Sequence, residues 1–208
     1  MKKGNDSVSA SGKWRVKRMG GSAALFLIVA VFFFCSIGQA GAQGMASAAG
    51  AGAVDKADTA WVLICAALVL LMTPGLAFFY GGLVRRKNVL SIMMQCFMIM
   101  SLIGLQWVLF GYTLAFGPDV KGIIGDLSWA GLRNVSFNLP HWDPVTHSSY
   151  AGTIPHQAFM TFQMMFAIIT PALIIGSFAE RMKFSSFCLF ILFWSVLVYD
   201  PVTHWVWG

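Results

Sequence analysis

Charge is scarce in this chain. Asp, Glu, Lys and Arg together make up 11% of its 208 residues, whereas soluble domains carry roughly a quarter. Such a deficit argues against a soluble enzyme. The net charge of +6 does not mark a nucleic-acid face either, because six of the fourteen basic residues (Lys2, Lys3, Lys13, Arg15, Lys17 and Arg18) precede residue 19. Beyond residue 42, eight basic residues stand against seven acidic ones. Cysteines number four. Cys65, Cys96 and Cys188 fall in separate apolar stretches without CxxC spacing, so no disulfide framework is supported and they read as small apolar residues. The sequence has no nucleophile elbow, phosphate-binding loop, zinc helix or glycine fingerprint. Catalysis therefore has no residues to rest on, and no cofactor is expected. His141, Asp143 and His147 in HWDPVTH surround a proline turn signal without regular ligand spacing, so no metal site is expected there.

Apolar residues are abundant, at 58%. After a basic start, AALFLIVAVFFFCSI (Ala23–Ile37) is followed by Ala40-Gly41-Ala42, the three-part order of a secretory signal peptide. Residues 1–42 are expected to be that leader, with cleavage near Ala42. The other reading is an uncleaved first span. The Ala/Gly-rich residues 43–57 read as a flexible periplasmic lead-in to a membrane domain over residues 58–208.

Four long runs within that domain, at about residues 60–83, 89–116, 157–179 and 184–207, carry no charge apart from Asp200 in the last. About 20 apolar residues rising 1.5 Å each cross a hydrocarbon core of about 30 Å. Unbroken runs without period-two alternation exclude a β-barrel. The fold class is therefore an all-α membrane protein, a polytopic helical bundle. Arg85-Arg86-Lys87 and Glu180-Arg181-Met182-Lys183 form tight basic turns that belong on the cytoplasmic side. The long loop from Gly117 to His156 then lies outside, and so does the mature N-terminus.

Thr73-Pro74-Gly75 and Thr170-Pro171 should kink or locally unwind their spans, and Gly81-Gly82 permits a close approach or a sharp exit. Asp200 is an expensive acid within a span. It has two readings, a functional acid or half of a structural i,i+4 pair with His204 beside the break at Pro201. Glu180 sits at the inner boundary, where it pairs or snorkels. Phe159, Phe162 and Phe166 share one helical stripe, and Phe166 would lie about 15 Å below the outer end. Trp205 and Trp207 end the fourth run at the same side. Aromatic faces attract a desolvating cation by about 0.5–2 kcal/mol, so an outer cation-collecting vestibule is one reading. An ordinary aromatic belt is the other.

DKADTAW (Asp55–Trp61), TPGLAFFYGGLVRRKNVLS (Thr73–Ser91), FQMMFAIITPALIIGSFAERMKF (Phe162–Phe184) and VYDPVTHWVWG (Val198–Gly208) together resemble the ammonium transporter (Amt/Mep/Rh) family. The resemblance runs from about residue 54 onward. It implies the first four or so spans of an eleven-helix fold that assembles as a homotrimer of right-handed bundles, each with its own pore. It implies that Phe166 corresponds to the outer gate phenylalanine and Trp207 to the tryptophan of the outer ammonium recruitment site. Phe162 and Gln163 correspond to residues of the same outer stretch. The family's vestibule serine, second gate phenylalanine, pore aspartate and twin pore histidines belong to segments after Gly208. The chain is thus expected to be an incomplete, separately inactive part of a transporter for ammonium or ammonia, with methylammonium as an analogue. Implied partners are the lipid bilayer and, as a plausible one, a cytosolic PII signalling protein; the implied location is the bacterial inner membrane. A sensor or signalling scaffold on the same spans and a small four-span structural protein are the alternatives.

Overall fold

A computed structural model describes residues 53–141 and 149–208. The expected leader, most of the lead-in, Asp143 and His147 lie outside the described residues. Four helices are long and apolar enough to cross a membrane: span one (Lys56–Leu83), span two (Arg86–Phe116), span three (His156–Phe178) and span four (Phe184–Trp207). Span one begins at Lys56 rather than residue 60 because Asp55 caps it. The Asp55 carboxylate accepts the backbone N–H groups of Ala57 at 2.7 Å and Asp58 at 3.1 Å, donors that the first turn cannot satisfy by itself.

The spans run up and down. At one end the Asp55 N–H donates to the Thr153 carbonyl at 2.8 Å, which ties the start of span one to the approach to span three. A short antiparallel hairpin, β1 (Asp119–Val120) with β2 (Ile124–Gly125), follows span two at that same end. At Gly125 an added Cβ would collide with the Thr113 carbonyl, so only glycine lets the hairpin press against the end of span two. This is the end that the charge argument expects to lie outside.

Span two forms the centre. Its buried residues Ile92, Cys96, Ile99, Ile103 and Trp107 recur every three or four positions, the stripe of a helix face. Span one turns small residues inward (Ala66, Thr73, Ala77 and Gly81). Leu68, Leu71, Phe78 and Phe79 face outward. Lipid tails attract these large side chains as strongly as a core does, so close backbone packing through small residues organises the interface. Span three is the most enclosed of the four.

The prolines act differently from one another. Span one stays helical through Pro74, so the local unwinding expected there does not occur. Span three breaks at Ile174, three residues after Pro171, and resumes as Ile175–Phe178. The break leaves the Leu173 carbonyl, which accepts the Tyr80 hydroxyl at 2.7 Å. Gly176 makes room, since a Cβ there would lie 2.8 Å from the Tyr80 ring. Span four stays helical across Pro201 by widening into a π turn at Ser195–Tyr199, which moves the preceding carbonyls away from the proline ring. Span two contains a matching π turn at Trp107–Gly111.

The inner ends are joined by Glu180, whose backbone is left-handed at φ 64°. Its carboxylate accepts the Asn88 side-chain amide at 2.8 Å and the Arg85 backbone N–H at 3.1 Å, with the Arg85 guanidinium at 3.9 Å. It therefore pairs across to the other turn rather than with its neighbour Arg181. The Asn88 hydrogen bond, then the Arg85 N–H, then the charges of Arg85 and Lys87 hold this carboxyl below its ordinary pKa. The contribution is present above the ordinary carboxylate range and is lost as pH falls through the lowered value. Glu180→Gln should therefore lower the unfolding midpoint in mild detergent at neutral pH. The gap from wild type should close as the buffer is acidified below that range.

Candidate functional site

The last turn of span two is the hub of the outer end. Its Tyr112 hydroxyl meets His156 Nε2 at 2.6 Å, which fixes the start of span three. Its Phe116 carbonyl accepts the Tyr150 hydroxyl at 3.0 Å, and its Phe116 ring meets Phe159 edge-on at 5.3 Å. Thr113 Oγ1 donates to the Asp126 carbonyl at 2.7 Å and accepts the Trp129 N–H at 3.1 Å. His204, one turn before the end of span four, lies 3.0 Å from the Ala115 carbonyl. The outer ends of spans two, three and four therefore meet in one place.

Over this hub lies an aromatic raft that sequence reading did not identify. Trp129 stacks on Tyr112, and His141 stacks on Tyr150 with ring centroids 4.8 Å apart. His156, itself buried, is edge-on to Trp129 at 4.9 Å. The signal was the density of rings in a segment read only as loop. The raft roofs the bundle and orders the outer loop, because ring pairs at these distances attract beyond their simple burial.

Phe162 and Phe166 come together below the raft, edge-to-face at 5.1 Å. Gln163 is half-buried beside them. Within the described residues Phe166 is 39% exposed and Trp207 65% exposed. Among the described residues no ring contact joins Trp207 to Phe162 or Phe166. Phe166 is ten residues into span three, about 15 Å below its start, while Trp207 belongs to the last turn of span four. The two rings are thus arranged in series along the bundle axis rather than face to face.

Trp205 is held from outside. Its indole N–H donates to the Ile123 carbonyl of the hairpin at 2.9 Å, leaving Trp207 as the indole of this turn without a protein partner among the described residues.

Asp200 does not pair with His204, contrary to the i,i+4 reading. Its Oδ2 accepts the Gln106 side-chain amide at 2.7 Å, across to span two. Gln106 Oε1 in turn accepts the Ser195 hydroxyl at 3.3 Å. All three are buried, and Asp200 Oδ1 has no hydrogen-bond partner among the described residues. A π turn adjoins each side of this trio, Trp107–Gly111 after Gln106 and Ser195–Tyr199 before Asp200. A Cβ at Gly111 would sit 2.6 Å from Gln106 Nε2 and would have to displace the amide that Asp200 accepts. Gly111→Ala should cost about 1–3 kcal/mol by overpacking, read as a lower thermal midpoint of the purified protein. Gly104→Ala, where the nearest neighbour is Ile168 at 3.8 Å, should leave that midpoint nearly unchanged.

Comparison with known proteins bears on what these spans belong to. Residues 60–208 match the profile of the Ammonium Transporter Family. An ammonium transporter of Bacillus subtilis is 56% identical over 155 residues, covering 74% of this chain and 36% of the relative. The crystal structure of Candida albicans Mep2 superposes with a TM-score of 0.65 at 32% identity, covering 74% of this chain and 32% of that one. A structure described as a sensor Amt protein superposes with a TM-score of 0.60 at 27% identity, covering 72% of this chain and 34% of that one. The chain spans about a third of the length of the relatives it matches. With its four membrane-length helices and a profile match over residues 60–208, this multi-pass membrane chain belongs to the ammonium transporter family.

Proposed function

We propose that the protein carrying these spans moves ammonium or ammonia across a membrane. The match of residues 60–208 to the family profile carries this reading. A hydrated cation loses several kcal/mol or more when its charge is taken unpaired into hydrocarbon. Aromatic faces at the mouth offset part of that dehydration. In this reading Trp207 collects the cation at the outer surface, and Phe162, Gln163 and Phe166 line the descent, with Phe166 as the gate. The depth of Phe166, ten residues into span three, against the place of Trp207 in the last turn of span four supports a collecting site followed by a restriction.

The accompanying proposals concern its setting. Residues 1–42 act as a secretory leader, the mature N-terminus lies outside, and the protein resides in a bacterial inner membrane as a homotrimer. A cytosolic PII-type protein would dock at the inner turns. Neither nucleic acid nor a cofactor has a role in this reading.

The test is uptake of labelled methylammonium by cells without ammonium transporters of their own, expressing the complete protein. Uptake that ammonium competes away supports transport. Ammonium-dependent signalling without uptake would favour the sensor reading, to which the structural likeness to a sensor Amt protein lends weight.

A further inference from the structure

His204 has an acceptor on each side of its ring. Nδ1 lies 3.0 Å from the Ala115 carbonyl, and Nε2 lies 3.0 Å from Asp119 Oδ1. A carbonyl oxygen only accepts, so Nδ1 must carry a hydrogen. The second contact needs a proton on either Nε2 or Asp119. Asp119 is the more exposed partner, its side chain 57% open against 5% for the imidazole. Both of its oxygens also accept the Gly122 N–H, at 2.9 and 3.0 Å. A carboxyl this exposed is ionised near neutral pH, which leaves the second proton on the ring.

We propose that His204 is a positioning residue of the outer mouth: an imidazolium clamped between Ala115 of span two and Asp119 of the hairpin, which sets the last turn of span four and with it Trp207. The bond to Ala115 sets the height of that turn against span two. The bond to Asp119, with the Trp205 to Ile123 hydrogen bond beside it, fastens the hairpin over it. Trp207 follows three residues later, on the face of the helix that His204 occupies. A charged, nearly buried donor pinned at two points fixes a helix end more firmly than a neutral ring making one bond.

The other titratable groups on the elements around this turn are Tyr112 on span two, Tyr199 and Asp200 on span four, and Lys121 and Asp126 in and beside the hairpin. Among the described residues only Asp119 touches the ring with a charge. Asp200 is committed to Gln106.

The consequence for Trp207 rests on the transport reading; the charge of the clamp does not. The complete transporter, labelled with 15N-histidine and held in lipid bilayers near neutral pH, decides the charge by NMR, with His204→Gln identifying the signal. Two protonated ring nitrogens are expected in wild type, and one in Asp119→Asn. A single protonated nitrogen in wild type would overturn the clamp. In the same proteins Asp119→Asn should raise the methylammonium concentration for half-maximal uptake about twofold to fivefold, with the maximal rate unchanged. An unchanged half-saturation in a variant that has lost the second proton would overturn the positioning role. If wild type takes up no methylammonium, the transport reading fails while the spectrum still decides the charge.

Discussion

Gln106→Leu should destabilise the protein by about 2–4 kcal/mol, because it leaves a buried carboxyl with no hydrogen-bond donor. Asp200 is fully buried between spans two and four, and one of its oxygens lacks a partner among the described residues. The Gln106 amide, at 2.7 Å, is the donor that makes its burial tolerable. The measurement is the unfolding midpoint of the purified protein in mild detergent. Two further variants separate the pair from ordinary packing. Asp200→Asn should cost less, since its carbonyl can still accept from Gln106. The double variant Gln106→Leu with Asp200→Leu should recover part of the loss, because removing both partners leaves no orphaned polar group. Equal losses in the single and double variants would mean that leucine simply fails to fit. In that case the hydrogen bond between the spans would not be the source of the stability.

That pairing also marks where sequence reading stops. The four spans are legible from hydropathy because lipid offers the backbone no hydrogen bonds, so long apolar runs must close their own. The up-and-down order follows from two basic turns and one long loop poor in charge. Helix breaks are another matter. Pro74, Pro171 and Pro201 look alike in the sequence, yet the first leaves its helix intact, the second precedes a break and the third follows a π turn. At the break in span three the Leu173 carbonyl accepts from Tyr80 of span one, a neighbour that only tertiary packing supplies. The Asp200 and His204 pair failed for a related reason. Spacing by four sets two residues near one another on a helix, but each turned to a stronger partner on span two or the hairpin, 85 to 94 residues away. A usable signal was present, since Gln106 and Asp200 are polar residues at similar depth in two otherwise apolar runs. For the recruitment residues, composition and spacing alone left the cation-collecting vestibule as the weaker reading. Family resemblance, not periodicity, singled out Phe166 and Trp207.

Trp207→Leu should weaken the apparent affinity for methylammonium about twofold to thirtyfold and reduce discrimination against potassium. An indole face contributes about 0.5–2 kcal/mol to a partly dehydrated cation, and leucine keeps the bulk while removing the quadrupole. The change should fall on half-saturation more than on maximal rate, because the ring sits in the last turn of span four, well above the proposed restriction at Phe166. Trp207→Phe should retain part of the affinity, in keeping with a weaker aromatic face. Trp205→Leu is the contrasting variant. Its indole N–H is engaged with Ile123, so its loss should loosen the hairpin and lower the unfolding midpoint with a smaller effect on selectivity. Competition assays with potassium over a range of methylammonium concentrations measure all three. Equal behaviour of Trp207→Leu and wild type would remove the collecting role. The exposed indole would then be one of the aromatics that anchor a span at the membrane surface.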